Sequence, residues 1–512
     1  MSDTLLYGTN PATGERLEPG FAEASDADVA NAAYQANEAF RHAQFEPPRW
    51  SADLLDAIAD RIMSLGDALL ERAEAETALP RARLTGERAR TVGQIKMFAE
   101  VVREGSWVDA VIDTADPNRK PQPKPDLRRM LRPRGPVAVF GASNFPFAFG
   151  TLGGDTASAL AAGCPVIVKG HPSHPGTSEM FASAVREALR QCKLPDGLFT
   201  LLQGRRHELS AALVKDPNVT AVGFTGSLNA GRALFDLAAA RPSPIPVFAE
   251  MGSLNPVVIL PAALAERGEQ IAQDLANSIL LGGGQFCTKP GLIFTLGPGD
   301  GKFLRDLAAK IESAAGITML NQNLRDSFKQ RILQFKSVPG VRTVTFGAPS
   351  GHAGVAPSLF ETDSQTFSKH PELHEEAFGP GAIVVRLEGA HPAAAIEELP
   401  GSLTGTIHIG ASEDAALARV VINALEQKVG RVIVNGYPTG VEVCNAIVHG
   451  GPYPATTDPG TTSVGSAASR RWVRMTAYQD TPDALLPPAL QNANPLGIER
   501  LVNGKRTAAS IG

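Results

Sequence analysis

The sequence predicts an α/β protein whose parallel sheets are covered by helices on both faces. Three observations carry that expectation. Short uncharged runs such as "VAVFG" and "CPVIVKG" read as strands buried on both sides. Stretches with apolar residues at helical spacing follow them, as in "SHPGTSEMFASAVREALRQC". The alternation then repeats along most of the chain, the pattern of parallel strands joined by crossover helices.

Length and composition bound the rest. At 512 residues the chain exceeds one ordinary core, and a prior of roughly 150 residues per domain gives about three. A hydrophobic content of 43% and a charged content of 20% belong to a globular chain. A net charge of −5 offers nothing to nucleic acid or an anionic membrane. The four cysteines, Cys164, Cys192, Cys287 and Cys444, form no CxxC pair, which argues against a disulfide framework or structural zinc and for a reducing cytoplasm. The opening "MSDTLLYGTNPATGE" lacks the basic start and apolar run of a secretory signal. Residues 135–154 carry no charge over a length that could span a bilayer, but their glycines and prolines break them into strand, turn and helix start.

The elements follow in order. "DADVANAAYQANEAFRHA" and "SADLLDAIADRIMSLGDALLERAEAE" have helical spacing with Asp or Ser at their starts. "NRKPQPKPDLRRMLRPRG" is a solvated connection or hairpin rather than a nucleic-acid patch, because it is short and has no interleaved aromatics. From residue 136 come strand "VAVFG", helix "FPFAFGTLGGDTASALAAG", strand "CPVIVKG" and a second helix, then "VTAVGFTG", "LNAGRALFDLAAA", "VFAEMG" and "PVVIL". A second α/β block runs from "GLIFTLG" to "VGRVIVNG", and a tail rich in Gly, Pro, Thr and Ser begins near residue 441.

Candidate chemistry clusters at strand ends, where such sheets bind ligands. "LGGGQFCTKPG" surrounds Cys287 with glycines, whereas a buried structural cysteine needs no such loop. "FTGSLNAG" sets Thr225, Gly226 and Ser227 at a helix start that suits a phosphate or an ordinary turn. Lys169 ends a strand, where it is solvated or touches ribose or phosphate. Asn144 precedes Pro146, placed in the first helical turn, and caps that helix or donates to an oxyanion. Glu250 ends a strand and is solvated or a general base. "HEEAFGPGAIVV" holds Glu376 and Phe378 beside a turn. His171 and His174 lie in a Pro-rich loop, no HExxH occurs, and no metal is expected.

In this order, "SNFPF", "VIVKGHP", "FTGS", "AEMGS", "GQFCTKPG" and "EEAFGP" resemble the aldehyde dehydrogenase superfamily over nearly the whole chain. "NGYPTGVEVCNAIVHGGPYPATTD" is similar to the branch acting on α-ketoglutaric semialdehyde (2,5-dioxopentanoate). The resemblance implies a Rossmann-type nucleotide-binding domain (1–118 and 135–250), a catalytic domain (251–440), and an oligomerisation arm with tail (119–134 and 441–512). It makes Cys287 the nucleophile, Asn144 an oxyanion donor and Glu250 the base for thioester hydrolysis. Lys169 and Glu376 would hold ribose hydroxyls, Phe378 the nicotinamide side, and Thr225, Gly226 and Ser227 the pyrophosphate. Phe145, Phe149, Leu152 and Phe286 would line the aldehyde channel.

Two departures matter. Met251 and Ser253 replace the Leu and Gly of the family's "ELGG", and Pro172 stands where NAD-preferring members carry an acid. With Arg206 as the phosphate partner, NADP is expected as cofactor, NAD remaining possible. A homodimer or homotetramer is expected by resemblance alone. The alternatives are a broad fatty or aromatic aldehyde dehydrogenase, and a cysteine acyl-transferase or hydrolase without nicotinamide. Against the last, the sequence places no histidine to pair with the thiol.

Overall fold

The computed structural model describes residues 5–43, 49–297, 300–387 and 391–511; residues 1–4 of the opening stretch lie outside them. Its first sheet has five parallel strands in the order Phe199–Leu202, Val166–Lys169, Val137–Phe140, Ala221–Thr225, Val247–Glu250. Every residue of the central Val137–Phe140 is buried, which accounts for its uncharged sequence. Alternate side chains go to opposite faces. Val137, Val139, Val166 and Val168 pack with Leu54, Leu55, Ile58 and Phe98 on one side. Ala138, Phe140 and Ile167 pack with Val29 and Ala33 of the helix Asp26–Ala43 on the other.

The chain lays down its first three strands in one direction, then returns to place Ala221–Thr225 on the far side of Val137–Phe140. This reversal opens a crevice at the carboxyl ends of those two strands.

The second sheet has seven strands, ordered Arg342–Phe346, Ser358–Asp363, Gly381–Arg386, Leu292–Thr295, Val257–Ile259, Ser402–His408, Val429–Val434. Only its edge strand Arg342–Phe346 runs antiparallel to its neighbour. A third sheet joins Val473–Gln479, Leu127–Pro133, Val111–Asp113, Arg500–Val502 and Lys505–Thr507. It therefore draws on residues upstream of 119 as well as on the Arg-rich stretch. There Arg128 pairs with Asp126 at 2.8 Å and Arg129 with Asp109 at 2.9 Å, so these cations serve the fold. No helix among the described residues is long and apolar enough to cross a membrane.

One expected element is corrected. The helix read from residue 145 begins only at Gly154 and ends at Ala161, so Pro146 sits in a turn and Asn144 caps no helix. The cause is close backbone contact. A Cβ at Gly150 would lie 2.1 Å from the Pro146 carbonyl oxygen, and one at Gly153 2.6 Å from that of Ala148. The backbone N–H groups of Phe147 and Ala148 donate instead to Glu87 Oε1, at 2.8 and 3.0 Å.

Candidate active site

The glycine run before Cys287 makes a left-handed turn, with φ of 58°, 73° and 66° at Gly282, Gly283 and Gly284. A Cβ on Gly284 would come within 2.3 Å of the Gly379 backbone. The run thus lets the cysteine loop press against the loop that carries Glu376 and Phe378. Two side chains lock this junction. Asn255 Nδ2 donates to the carbonyls of Cys287 (2.8 Å) and Lys289 (3.0 Å). The buried Lys289 Nζ donates to the carbonyls of Ala377 (2.9 Å) and Gly381 (2.7 Å).

Cys287 is half-buried. Its Sγ lies 3.5 Å from Nε2 of His449, and the same nitrogen lies 3.1 Å from Oε1 of Glu250. Glu250 ends the last strand of the first sheet. Its Oε2 accepts from Ser463 Oγ at 3.0 Å, and Ser463 Oγ also contacts the His449 carbonyl. A histidine is thus paired with the thiol, contrary to the sequence expectation. The lack of a histidine partner is therefore no argument against the acyl-transferase reading. Nothing in sequence spacing betrays His449, which sits in an irregular tail.

Electrostatics divide the protons of this group. Burial, then the neighbouring Glu250 carboxylate, push the Cys287 thiol well above its ordinary value. Burial also opposes ionisation of Glu250, but the His449 charge and hydrogen bonds from His449, Cys287 and Ser463 outweigh it, so its pKa is lowered. Sγ, the histidine nitrogen and a carboxylate oxygen lie within 4.8 Å of one another, a donor set that zinc accepts.

Asn144 is buried beside the cysteine loop, its Nδ2 donating to the Gln285 carbonyl at 2.9 Å. Phe145 meets Phe149 (5.5 Å) and Phe286 (4.9 Å) edge-on, and Phe149 is 5.9 Å from the His449 ring. The structure brings these three phenylalanines together next to the thiol. Leu152 is not among them, because it is fully buried in the core beneath the first sheet. Met251 also belongs to a core, and Ser253 bonds Asn255 and the Leu403 N–H. Both departures from "ELGG" thereby find a packing role.

The crevice side holds the remaining residues. Lys169 is half-buried, and burial lowers its pKa to about 8 against the pull of Glu23. An amine at the carboxyl end of a parallel strand suits a ribose or phosphate ligand. Thr225 is half-buried and Gly226 and Ser227 are exposed at the neighbouring strand end, where the Ser227 hydroxyl caps the helix Leu228–Ala239. Pro172 lies in the half-buried turn after Lys169. Arg205 is tied to Glu23 at 3.2 Å, whereas Arg206, 49% exposed, donates to the Ala24 carbonyl and stands 3.9 Å from Asp26. Phe378 is half-buried, and burial, opposed by Lys289, raises the Glu376 carboxyl to about 7. These groups fit a nicotinamide dinucleotide.

Comparison with known proteins agrees with this geometry. Residues 2–452 match the aldehyde dehydrogenase family. Alpha-ketoglutaric semialdehyde dehydrogenase 2 of Azospirillum brasilense is 49% identical over 504 residues, 98% of this chain and 96% of that protein. The alpha-ketoglutaric semialdehyde dehydrogenase of Acinetobacter baylyi is 46% identical over 491 residues, 95% and 93% of the two chains. Lactaldehyde dehydrogenase of Escherichia coli shares the fold, with a TM-score of 0.80 at 20% identity over 94% of this chain and 96% of that one. By its matched length, its relatives and its fold, the chain belongs to the aldehyde dehydrogenase family, whose members oxidise aldehydes with NAD(P).

Proposed function

We propose that the protein oxidises α-ketoglutaric semialdehyde to α-ketoglutarate with NADP, through Cys287. The observation that carries the substrate is near-half identity, over almost the full length, to two dehydrogenases of that semialdehyde. The mechanism rests on the Cys287–His449–Glu250 contacts.

A raised thiol needs a base at hand. Glu250, an anion held by the N–H of His449 Nε2 and by Ser463, takes the Cys287 proton and passes it on to solvent, while His449 keeps the carboxylate against the thiol. The thiolate adds to the aldehyde carbon, giving a thiohemiacetal whose oxyanion meets the Asn144 amide and the Cys287 N–H. The dinucleotide, which Lys169, Thr225, Gly226, Ser227, Glu376 and Phe378 would hold, would supply the hydride acceptor for that carbon. Glu250 then activates water to hydrolyse the Cys287 thioester, releasing the acid and restoring the thiol. Polar residues Thr456, Thr457 and Asp458 line a cavity behind Glu250 and His449 that suits proton exit.

The preference for NADP follows from charge. Pro172 supplies no carboxylate to repel a 2′-phosphate, and Glu23 is already engaged by Arg205. Arg206 is the less committed guanidinium, and a guanidinium binds phosphate as a fork.

The test combines substrates and variants. With NADP, kcat/KM for the semialdehyde should exceed that for hexanal or benzaldehyde by about tenfold or more. The reverse order would favour the broad-specificity alternative. Cys287→Ala should abolish NADPH formation while retaining dinucleotide binding. Glu250→Gln should slow the pre-steady-state burst and slow steady turnover further, by roughly 10²–10⁴-fold, since hydrolysis loses its base as well. Steady activity in Cys287→Ala would overturn the mechanism.

A further inference from the structure

A ketoacid semialdehyde brings a carboxylate into the site, and none of the residues assigned above receives it. The helix Arg81–Glu104 does offer a group for it. Arg83, Glu87, Arg90 and Gln94 follow one another at spacings of four, three and four, which puts them on one face. That face packs on the loop around Asn144. Glu87 takes the N–H groups of Phe147 and Ala148, and Gln94 abuts Gly154. Arg83 donates to the Asn144 carbonyl, with its guanidinium over Phe145 (5.0 Å) and Phe286 (4.7 Å).

Arg90 differs from its neighbours. Its guanidinium stands 5.5 Å over the ring of Phe149, the residue that also faces His449. Its Nη1 is closed off from solvent and has no hydrogen-bond partner, and no ion pair engages this side chain among the described residues. Burial lowers its pKa, opposed first by the Glu87 carboxylate on the same helix face and then by Cys287, Glu250 and Glu442. A buried N–H on a charged group is costly to leave unsatisfied, so an acceptor brought to it is bound favourably. Arg83 also has a buried unpaired Nη1, but its other terminal nitrogen already holds the Asn144 backbone.

We propose that Arg90 receives the substrate carboxylate, its guanidinium against the Phe149 ring fixing the acid end of the chain while the aldehyde carbon reaches Cys287. The ligand class is an ω-aldehyde of a short 2-oxo acid, in which the two ends are separated by a few carbons that Phe149 and Phe145 cover. A planar carboxylate accepts two parallel N–H bonds from arginine, which selects it over an uncharged end. This assignment rests on the semialdehyde reading.

The experiment compares wild type, Arg90→Met and Arg90→Lys on the semialdehyde and on pentanal, which has the same chain length without the keto acid. Arg90→Met should lower kcat/KM for the semialdehyde by about a hundredfold, chiefly through KM, and change that for pentanal by less than about threefold. Arg90→Lys, which keeps the charge without the fork, should fall between. Glutarate should shield the Cys287 thiol from iodoacetamide in wild type and lose that effect in Arg90→Met. Equal losses on both aldehydes, or an unchanged KM for the semialdehyde together with retained glutarate protection, would overturn the role of Arg90. A wild-type enzyme that prefers pentanal would overturn the substrate reading itself.

Discussion

His449 is the residue on which the thiol chemistry turns. A single nitrogen faces both the nucleophile and the carboxylate, at 3.5 and 3.1 Å. Replacing it by phenylalanine removes the N–H that holds the Glu250 carboxylate against the thiol, so His449→Phe should slow the NADPH burst by roughly tenfold or more. Alkylation of Cys287 at neutral pH should slow in parallel, while NADP binding is unchanged. In wild type the alkylation rate should keep rising as pH climbs past the ordinary thiol range, because burial and Glu250 hold the pKa up and only the thiolate reacts. Arg206 gives a second test at this scale. Arg206→Ala should raise KM for NADP roughly ten- to hundredfold and leave KM for NAD nearly unchanged, as expected for a charged hydrogen bond. Equal effects on both cofactors would refute its role.

Among the elements, the cysteine loop was the most legible in the sequence, because only a glycine run permits three consecutive positive φ values. Gly284→Ala places a non-glycine at φ 66° with its Cβ against Gly379. It should cost at least about 2 kcal/mol and lower the unfolding temperature, with a loss of activity as the loop shifts. Strand ends at Lys169, Thr225 and Glu250 were equally readable, since uncharged runs ending in a polar residue mark the ligand edge of a parallel sheet. The helix expected at residue 145 was misread because Gly150 and Gly153 look like helix-compatible small residues, while backbone contacts specific to the tertiary fold require them. The helix Pro261–Leu280, which leads into the cysteine loop, went unassigned despite its N-terminal proline. Arg90 escaped notice for a general reason. A charged residue at helical spacing is ordinarily solvated, and only packing against Phe149 distinguishes this one.

At the scale of the whole molecule, the site is a meeting of distant segments. Glu250 comes from the first sheet, Cys287 from the loop into the second, and His449 and Ser463 from the tail that runs on to the strand Val473–Gln479. The side chains of Glu250, Cys287 and His449 could hold one zinc ion. Zinc should therefore inhibit the enzyme reversibly and raise its unfolding temperature together. Saturation at a hundred times the dissociation constant would add about 2.7 kcal/mol. Cys287→Ala should lose the zinc-induced rise, and a chelator should restore wild-type activity.

The strand Val473–Gln479 lies antiparallel to Leu127–Pro133, joining a late part of the chain to an early one. His449 and Ser463 reach Glu250 from the segment that leads into that late strand. A chain that lacks its last strands therefore holds Glu250 and Cys287 without two of the contacts that lower the Glu250 pKa. Closure of the third sheet and completion of the candidate site are then one event, so a cut in the tail should cost activity before it costs the first two sheets.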